Sequence, residues 1–492
     1  MGLLDNPIFL AMVIPLVGGG LILLTGRQPN IREAVTLTTS AALFWNVVGI
    51  YEAWQSGKVL QLRLLETVTG IPIAFKVEPL GMLFALVAVF LWIVTSLYAI
   101  GYMRGHHEKN QTRFYFFFAV AIASVMGLTF SANLLTLFIF YEVLTLSTFP
   151  LVTHAGSDAA RNGGRTYLGI LLGTSIAFFL LAILATWALS GTLDFTPGGI
   201  LPEGLPTPLI ALLYGLFLFG VGKAALMPFH RWLPAAMVAP TPVSALLHAV
   251  AVVKAGVFTV LKLTVYIFGI DSLQQGAASE WMLYVAAATL LLASLVAMTK
   301  DNLKARLAYS TVSQLAYIVL GAALAHQLGI IGGAMHIATH AFGKITLFFA
   351  AGAIMVASHK TEISQMRGLG RAMPVTFGAM LIGCLSIIGL PPLAGAWSKW
   401  YLVMATVETE QWLMLATLLI SSLLNIAYLL PIPIRAFYSA SADDASGEPS
   451  AVQIKEAPMF CLLAMIISAS GCLLLFIYPQ PLYELVSALF PG

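Results

Sequence analysis

Residues 220–256 read GVGKAALMPFHRWLPAAMVAPTPVSALLHAVAVVKAG. Two lysines, Lys223 and Lys254, stand in this stretch among residues that are otherwise almost wholly apolar, and Pro228 and Pro234 interrupt its first half. The pattern extends outward from there. Glu142 lies in LFIFYEVLTLSTF (137–149), Lys344 in MHIATHAFGKITLFF (335–349) and Lys399 in GLPPLAGAWSKW (389–400). A charged side chain at the centre of a bilayer costs about 2.5 to 3.5 kcal/mol even on the lenient insertion scale. Such groups do not serve stability, and ionisable groups that exchange protons or pair with one another are the simplest reason to carry them. The chain therefore reads first as an ion- or proton-translocating membrane protein.

Composition agrees. The 492 residues are 59% hydrophobic and 9% charged, with mean hydropathy +0.92, whereas soluble domains carry roughly 25% charged residues. A net charge of +3 gives no reason to expect nucleic acid as a partner. Cys384, Cys461 and Cys472 are scattered within apolar segments and form no CxxC pair, which speaks against an iron–sulfur cluster or zinc knuckle. The sequence holds neither GxGxxG nor a Walker-A motif. No cofactor and no metal are expected on the chain itself. Asp5 stands where a signal peptide would be positive, so the first apolar stretch is expected to be a retained helix.

Apolar runs separated by short polar breaks predict spans near 7–25, 33–54, 79–101, 113–130, 132–153, 166–190, 207–227, 241–268, 280–298, 303–322, 329–357, 375–405, 412–438 and 457–478. The fold class is thus an all-α polytopic membrane protein of about 14 helices. With the N-terminus outside, Arg27, Arg104, Arg161, Arg231, Lys300, Lys360 and Arg435, together with most other basic residues, fall in inward loops. The outward loops hold only Lys58, Arg63 and Lys76 and are otherwise acidic, with Asp194, Glu203, Asp271, Glu280, Glu408 and Glu410. The positive-inside rule then places both termini outside. Two spans are broken by proline, at Pro228/Pro234 and at Pro391/Pro392, each beside a lysine, because proline removes a donor and clashes with the preceding turn. Interrupted helices in matching halves point to inverted repeats with the site at the break.

The residues that could carry chemistry follow. Glu142 and Lys223 read as a carboxylate–ammonium pair, either fixed or switching a proton on Lys223. His248 and Lys254 are six residues apart on one helix, as successive relay points or as a bonded core histidine and a snorkelling lysine. Lys262, nearer the outer end, is expected to snorkel. His336, His340 and Lys344, spaced i, i+4, i+8, share a helix face that suits a proton or water relay or a structural polar stripe. The HxxxH spacing also fits zinc, but position 337 is Ile and the next group on the face is a cation. Lys399 is expected at an outward exit beside the proline break, where freed backbone groups need water. Ser310, Ser313, Gln314 and Asn425 either hold waters or bond between helices, and Tyr51, Trp54 and Trp281 read as interface anchors.

FIFYEVLTLSTFPLV (138–152), the 220–256 stretch, MHIATHAFGK (335–344) and GLPPLAGAWSK (389–399) resemble the antiporter-like subunits shared by respiratory complex I, membrane-bound hydrogenases and Mrp-type sodium/proton antiporters. The resemblance covers roughly 75–480. It implies two inverted five-helix repeats, placed at 111–270 and 271–440, preceded by N-terminal helices (1–110) and followed by a C-terminal helix (441–492). It implies a Glu142–Lys223 pair, a central relay at Lys254 with His248 and the His336/His340/Lys344 face nearby, and a terminal Lys399 where some members carry glutamate. Chain length and the terminal lysine look like the Mrp D-type subunit, without the lateral helix of the largest complex I member. The expected function is proton translocation within a multisubunit monovalent cation/proton antiporter. The alternative is the pumping arm of a complex I-like NADH:quinone oxidoreductase or membrane-bound hydrogenase. Partners are other membrane subunits, protons, sodium or another monovalent cation, and the lipid of a bacterial inner membrane. Whether the chain is part of an enzyme depends on those subunits. Ultraviolet–visible spectra and metal analysis of the purified subunit are expected to be blank, and a stoichiometric flavin or iron–sulfur signal would refute this.

Overall fold

The computed structural model describes residues 3–68, 70–275, 277–439 and 455–490. The start of the expected C-terminal segment, 441–454, lies outside the described residues. The architecture is all-α apart from one hairpin. In chain order the helices are α1 Pro7–Leu24, α2 Pro29–Gln55, α3 Pro79–Gly105, α4 Gln111–Thr129, α5 Leu134–Val152, α6 Asp158–Ser190, α7 Thr207–Gly220, α8 Thr241–Phe268 and α9 Glu280–Thr299. They continue as α10 Leu303–Ala323, α11 Gln327–Ser358, α12 Pro374–Ile388, α13 Gly395–Glu408, α14 Trp412–Tyr438, α15 Met459–Ile477 and α16 Gln480–Ser487. Among the described residues, 11 of these are long and apolar enough to cross a membrane. The other expected spans fall on α7, which is short, on α10, which begins with Lys304 and Arg306, and on the α12/α13 pair, which is split.

Many ends follow local sequence. Asn6, Asn133, Ser157 and Asn302 precede α1, α5, α6 and α10, and each side chain accepts a bond from a first-turn N–H, as caps do. The cap at Ser157 is why α6 begins earlier than the expected 166. The hairpin was not expected from the sequence. β1 (Gln61–Val68) pairs antiparallel with β2 (Ile71–Lys76), with Gln61 opposite Lys76 and Val68 opposite Ile71. It turns at Gly70, where φ is +83° and only glycine is unstrained.

The hairpin lies against the loops at one end of the bundle. Lys76 N–H donates to the Phe130 carbonyl at 2.7 Å, Ala132 N–H to Ala74 at 2.9 Å, and Phe195 N–H to Ala132 at 3.0 Å. The opposite end gathers basic residues onto carbonyls. Arg113 reaches the His154 carbonyl at 2.8 Å, Lys304 the Ala239 carbonyl at 2.5 Å, and Arg306 the Tyr428 carbonyl at 3.0 Å. His154 lies between α5 and α6, and burial, then Arg113, lower its pKa. The imidazole is therefore neutral, and its Nε2, 2.9 Å from the Lys109 carbonyl, is the protonated nitrogen because a carbonyl can only accept.

α8 is buried along its whole length and forms the axle of the bundle. α11 and α3 pack around it, and both present close backbone approaches. A Cβ at Gly81 of α3 would lie 2.2 Å from the Thr129 carbonyl of α4. α15 is fastened to the break between α12 and α13, where Ala394 N–H donates to Cys472 at 2.9 Å and Trp397 Nε1 donates to Phe476 at 3.0 Å. The outer faces of α1, α2, α14 and α15 carry exposed Leu24, Trp45, Leu423 and Ile466, suited to lipid or a neighbouring subunit.

At the basic end, buried Glu33 sits between two guanidinium groups. Arg104 Nε donates to Oε1 at 3.1 Å and Arg104 Nη2 bonds Oε2, while Arg32 Nη2 lies 3.4 Å from Oε1. This ties α2 to α3. Glu33→Gln leaves two cations facing each other and is expected to cost about 3 kcal/mol, the lower end for a broken buried pair because Arg104 keeps contact with water. A lowered unfolding temperature in detergent, with flux per assembled complex unchanged, is the expected outcome.

Candidate functional site

The first break begins where α7 ends at Gly220. Val221 leaves helical geometry (ψ 62°), Gly222–Ala224 form a single tight turn, and Ala225 takes a left-handed φ of 54°. Trp232 Nε1 donates to the Gly222 carbonyl at 2.9 Å and holds the turn in place. The turn can sit this deep because Gly256 of α8 lies against it. A Cβ there would be 2.4 Å from the Lys223 carbonyl carbon and from Ala224 N.

Lys223 is fully buried. Its Nζ donates to the Tyr141 carbonyl at 2.8 Å and to Thr145 Oγ1 at 2.6 Å, and lies 3.1 Å from the centre of the Tyr141 ring. The expected direct pair with Glu142 is not formed. No ion pair within 4.0 Å joins them, and both Glu142 carboxylate oxygens are buried without a hydrogen-bond partner among the described residues. Geometry explains this. Glu142 is half-buried, and the ammonium is taken instead by the backbone carbonyl of its neighbour Tyr141 and by Thr145 one turn on.

His248 and Lys254 are not joined by regular α-helix. Leu246–Val250 forms one wide π-turn, and Ala251 departs from helical angles (φ −124°, ψ −70°). Such bulges in a helix are frequent at functional sites. His248 has neither ring nitrogen bonded among the described residues and packs on Phe348 at 4.6 Å, so a hydrogen-bonded core histidine is not what the structure shows. Lys254 does not snorkel. Its Nζ lies 2.5 Å from Nδ1 of His340, across the contact between α8 and α11.

The three residues of the α11 face have separate partners. His336 Nδ1 lies 2.9 Å from Ser398 Oγ, and its Nε2 lies 3.2 Å from Gln314 Oε1. His340 takes Lys254, and its ring centre is 5.7 Å from that of His336. Lys344 donates to Ser310 Oγ at 2.6 Å. No group of three or more His, Cys, Asp or Glu side chains suited to a metal occurs among the described residues.

At the second break, Gly389 (φ +92°) ends α12 and Gly395 opens α13, where a Cβ would strike the Ser386 carbonyl at 1.9 Å. Lys399 Nζ donates to the freed Ile388 carbonyl at 2.9 Å and to Ser422 Oγ at 3.3 Å, and lies 4.6 Å from the Tyr317 ring centre. Lys262 corrects the snorkelling expectation. It is fully enclosed and meets Glu78 at 3.0 Å.

Sequence reasoning missed Tyr141, Thr145, Tyr317, Ser398, Ser422 and Tyr428. Tyr428 bonds Ser310 at 2.9 Å and Asn425, extending the Lys344 cluster onto α14. The signal available for them was weak, since hydroxyl residues are common in apolar helices and bond their own preceding turns.

An all-α membrane bundle with two broken helices, each placing a lysine on freed or interior carbonyls, defines the antiporter-like class of membrane subunit. Residues 131–425 match the family described as NADH:quinone oxidoreductase/Mrp antiporter, TM, and residues 67–115 match NADH-Ubiquinone oxidoreductase (complex I), chain 5 N-terminus. The chain belongs to this family of antiporter-like membrane subunits shared by complex I, Mrp antiporters and hydrogenases. It is 32% identical over 434 residues to NADH-quinone oxidoreductase subunit N of Desulforudis audaxviator, covering 86% of this chain and 83% of the relative. It is 32% identical over 390 residues to hydrogenase-4 component B of Escherichia coli, covering 75% of this chain and 57% of that relative. It is 30% identical over 437 residues to NAD(P)H-quinone oxidoreductase chain 5 of a Picosynechococcus strain, covering 80% of this chain and 62% of that longer relative. The fold matches a chain of the Mrp complex from Dietzia with TM-score 0.85 at 21% identity, covering 99% of this chain and 97% of that one. It matches a chain of an archaeal membrane-bound sulfane sulfur reductase with the same TM-score and identity, covering 98% and 96%.

Gly256 makes the site possible, so enlarging it is expected to push the Lys223 turn off α8. Gly256→Leu is expected to destabilise the protein by about 1 to 3 kcal/mol, the usual range for overpacking, and more than Gly256→Ala. Melting curves of both variants in detergent check the order.

Proposed function

We propose that the chain is a proton-translocating subunit of a multisubunit membrane complex, with Glu142, Lys223, Lys254 and Lys399 as its principal groups and His248, His336, His340 and Lys344 as relay. The observation that carries the reading is the buried Lys254–His340 contact, 2.5 Å long, between the two helices that link the halves of the chain. With Lys254 as the ammonium, Nδ1 of His340 is the acceptor and Nε2 carries the hydrogen. A proton passed along this bond leaves a neutral amine and an imidazolium, and both states can be held in turn.

Several features support a path on either side. Lys223 sits on polar groups of α5, with the unbonded Glu142 carboxylate one residue away, so movement or protonation of Glu142 would change the proton affinity of Lys223. Beyond His340, His336 lies within ring contact and Ser398, its partner, immediately precedes Lys399. At the basic end, a cavity of about 340 Å³ lined by Tyr102, His106, Lys304 and Thr241 opens beside the first turn of α8, two turns from His248. We place this end in the cytoplasm of a bacterial cell, with both termini outside, because of its basic loops.

For the driving module, the identities favour a redox complex. The relatives at 30–32% are named as quinone oxidoreductase and hydrogenase components. Likeness to the Mrp complex is one of fold, and it favours the second reading, a monovalent cation/proton antiporter with sodium or another cation as the exchanged ion. Purification of the native complex separates the two. Quinone- or hydrogen-linked partner subunits would establish the first, and sodium-dependent proton flux without redox partners the second.

In inverted vesicles, Lys254→Ala and Lys399→Ala are each expected to lower proton flux at least tenfold with normal assembly, while Lys399→Glu keeps part of it. Wild-type flux in Lys254→Ala would remove the central relay and the reading with it.

A further inference from the structure

One buried charge pair plays no part in the path above. Glu78 immediately precedes α3, and Lys262 lies toward the hairpin end of α8. Their side chains approach to 3.0 Å, with Lys262 fully enclosed and Glu78 only 6% exposed. Lys262 Nζ also donates to the Ser131 carbonyl at 2.7 Å and lies 4.3 Å from the Phe195 ring centre. Glu78 stands at the positive end of α3, which suits a carboxylate.

Both carboxylate oxygens of Glu78 are buried without a hydrogen-bond partner among the described residues, yet the pair lies one side chain from the surface. Oε1 of Glu78 lies 3.9 Å from Lys76 Nζ, whose side chain is 45% exposed. Lys76 ends β2, so a line of titratable groups runs from the interior of α8 through Glu78 to the surface at the hairpin. The other titratable group facing Lys262 is Tyr266, whose ring centre is 5.8 Å from Nζ. Inward along α8, Lys254 is eight residues away, about 12 Å of helix at 1.5 Å per residue. Phe258 stands midway and packs on Phe84 of α3 at 5.4 Å.

We infer that Lys262, Glu78 and Lys76 form a proton outlet at the hairpin end, fed from Lys254 and separate from the Lys399 break; this rests on the proton-transport reading. The Lys262 ammonium gives its proton to the Glu78 carboxylate, leaving a neutral amine and a carboxylic acid. The acid releases the proton on its Lys76 side to water at the surface. The amine is recharged from the Lys254 side, and no other reactant is consumed.

The test is proton flux and assembly of the whole complex in inverted vesicles, with wild type and Lys223→Ala alongside. Lys262→Arg keeps the charge and the pair, but guanidinium does not release a proton. The double variant Glu78→Leu/Lys262→Met replaces the pair by apolar packing. Both are expected to assemble normally and to lose at least tenfold in flux. Flux within twofold of wild type in either variant would make the pair a clasp and overturn the outlet. Failure of both to assemble would make it a folding element and overturn it equally. A wild-type complex that moves no protons would instead remove the underlying transport reading.

Discussion

A charged amine in a low-dielectric interior must be met by lone pairs of oxygen or nitrogen, and the rest of this structure is arranged around that requirement. Lys223, Lys254, Lys262, Lys344 and Lys399 are all buried. None is left to apolar contact. Tyr141 and Thr145 serve Lys223, His340 serves Lys254, Ser131 and Glu78 serve Lys262, Ser310 serves Lys344, and Ile388 with Ser422 serves Lys399. Only Lys262 has a carboxylate at close range. The others sit on neutral dipoles, which stabilise an ammonium less than a full counter-charge does.

Broken helices and backbone contacts supply part of that oxygen. A continuous helix spends its carbonyls on its own ladder, and an interrupted one releases them. The end of α12 offers the Ile388 carbonyl to Lys399, and Gly389 and Gly395 permit the turn that exposes it. At the first break the same need is met differently. Lys223 is carried on a short turn pressed against Gly256, and the acceptors come from α5. Glycine is required at these places because a backbone or side-chain atom occupies the space a Cβ would take.

The polar groups then lie in separate clusters on the axle helix α8, on α11 and on the helices packed against them. The basic end carries a cavity beside Thr241, while the hairpin end carries the Glu78 pair and acidic loops. The match to the subunit N relative runs over 86% of the chain, so most of the bundle takes part in the likeness.

Much of this was legible in the sequence. Long apolar runs with sparse charge determine a helical membrane bundle, because unpaired backbone groups cannot exist in lipid. Glu142, Lys223, Lys254, His336, His340, Lys344 and Lys399 stood out because each is costly where it lies. The breaks were visible as proline pairs beside lysine. Sequence spacing could not decide which groups meet. The Glu142–Lys223 pair was expected, and its two side chains make no contact within 4.0 Å; the Tyr141 carbonyl and Thr145 hold the ammonium beside Glu142. The π-turn after Ala245 reset the relation of His248 to Lys254, and regular 3.6-residue spacing does not foresee it. Lys262 was expected to reach for the surface and is instead held by Glu78, a partner 184 positions earlier in the chain. The hairpin at 61–76 and the hydroxyls of Tyr141, Thr145, Ser398, Ser422 and Tyr428 were equally silent, because what distinguishes them is a contact across helices, and contacts across helices are set by tertiary packing alone.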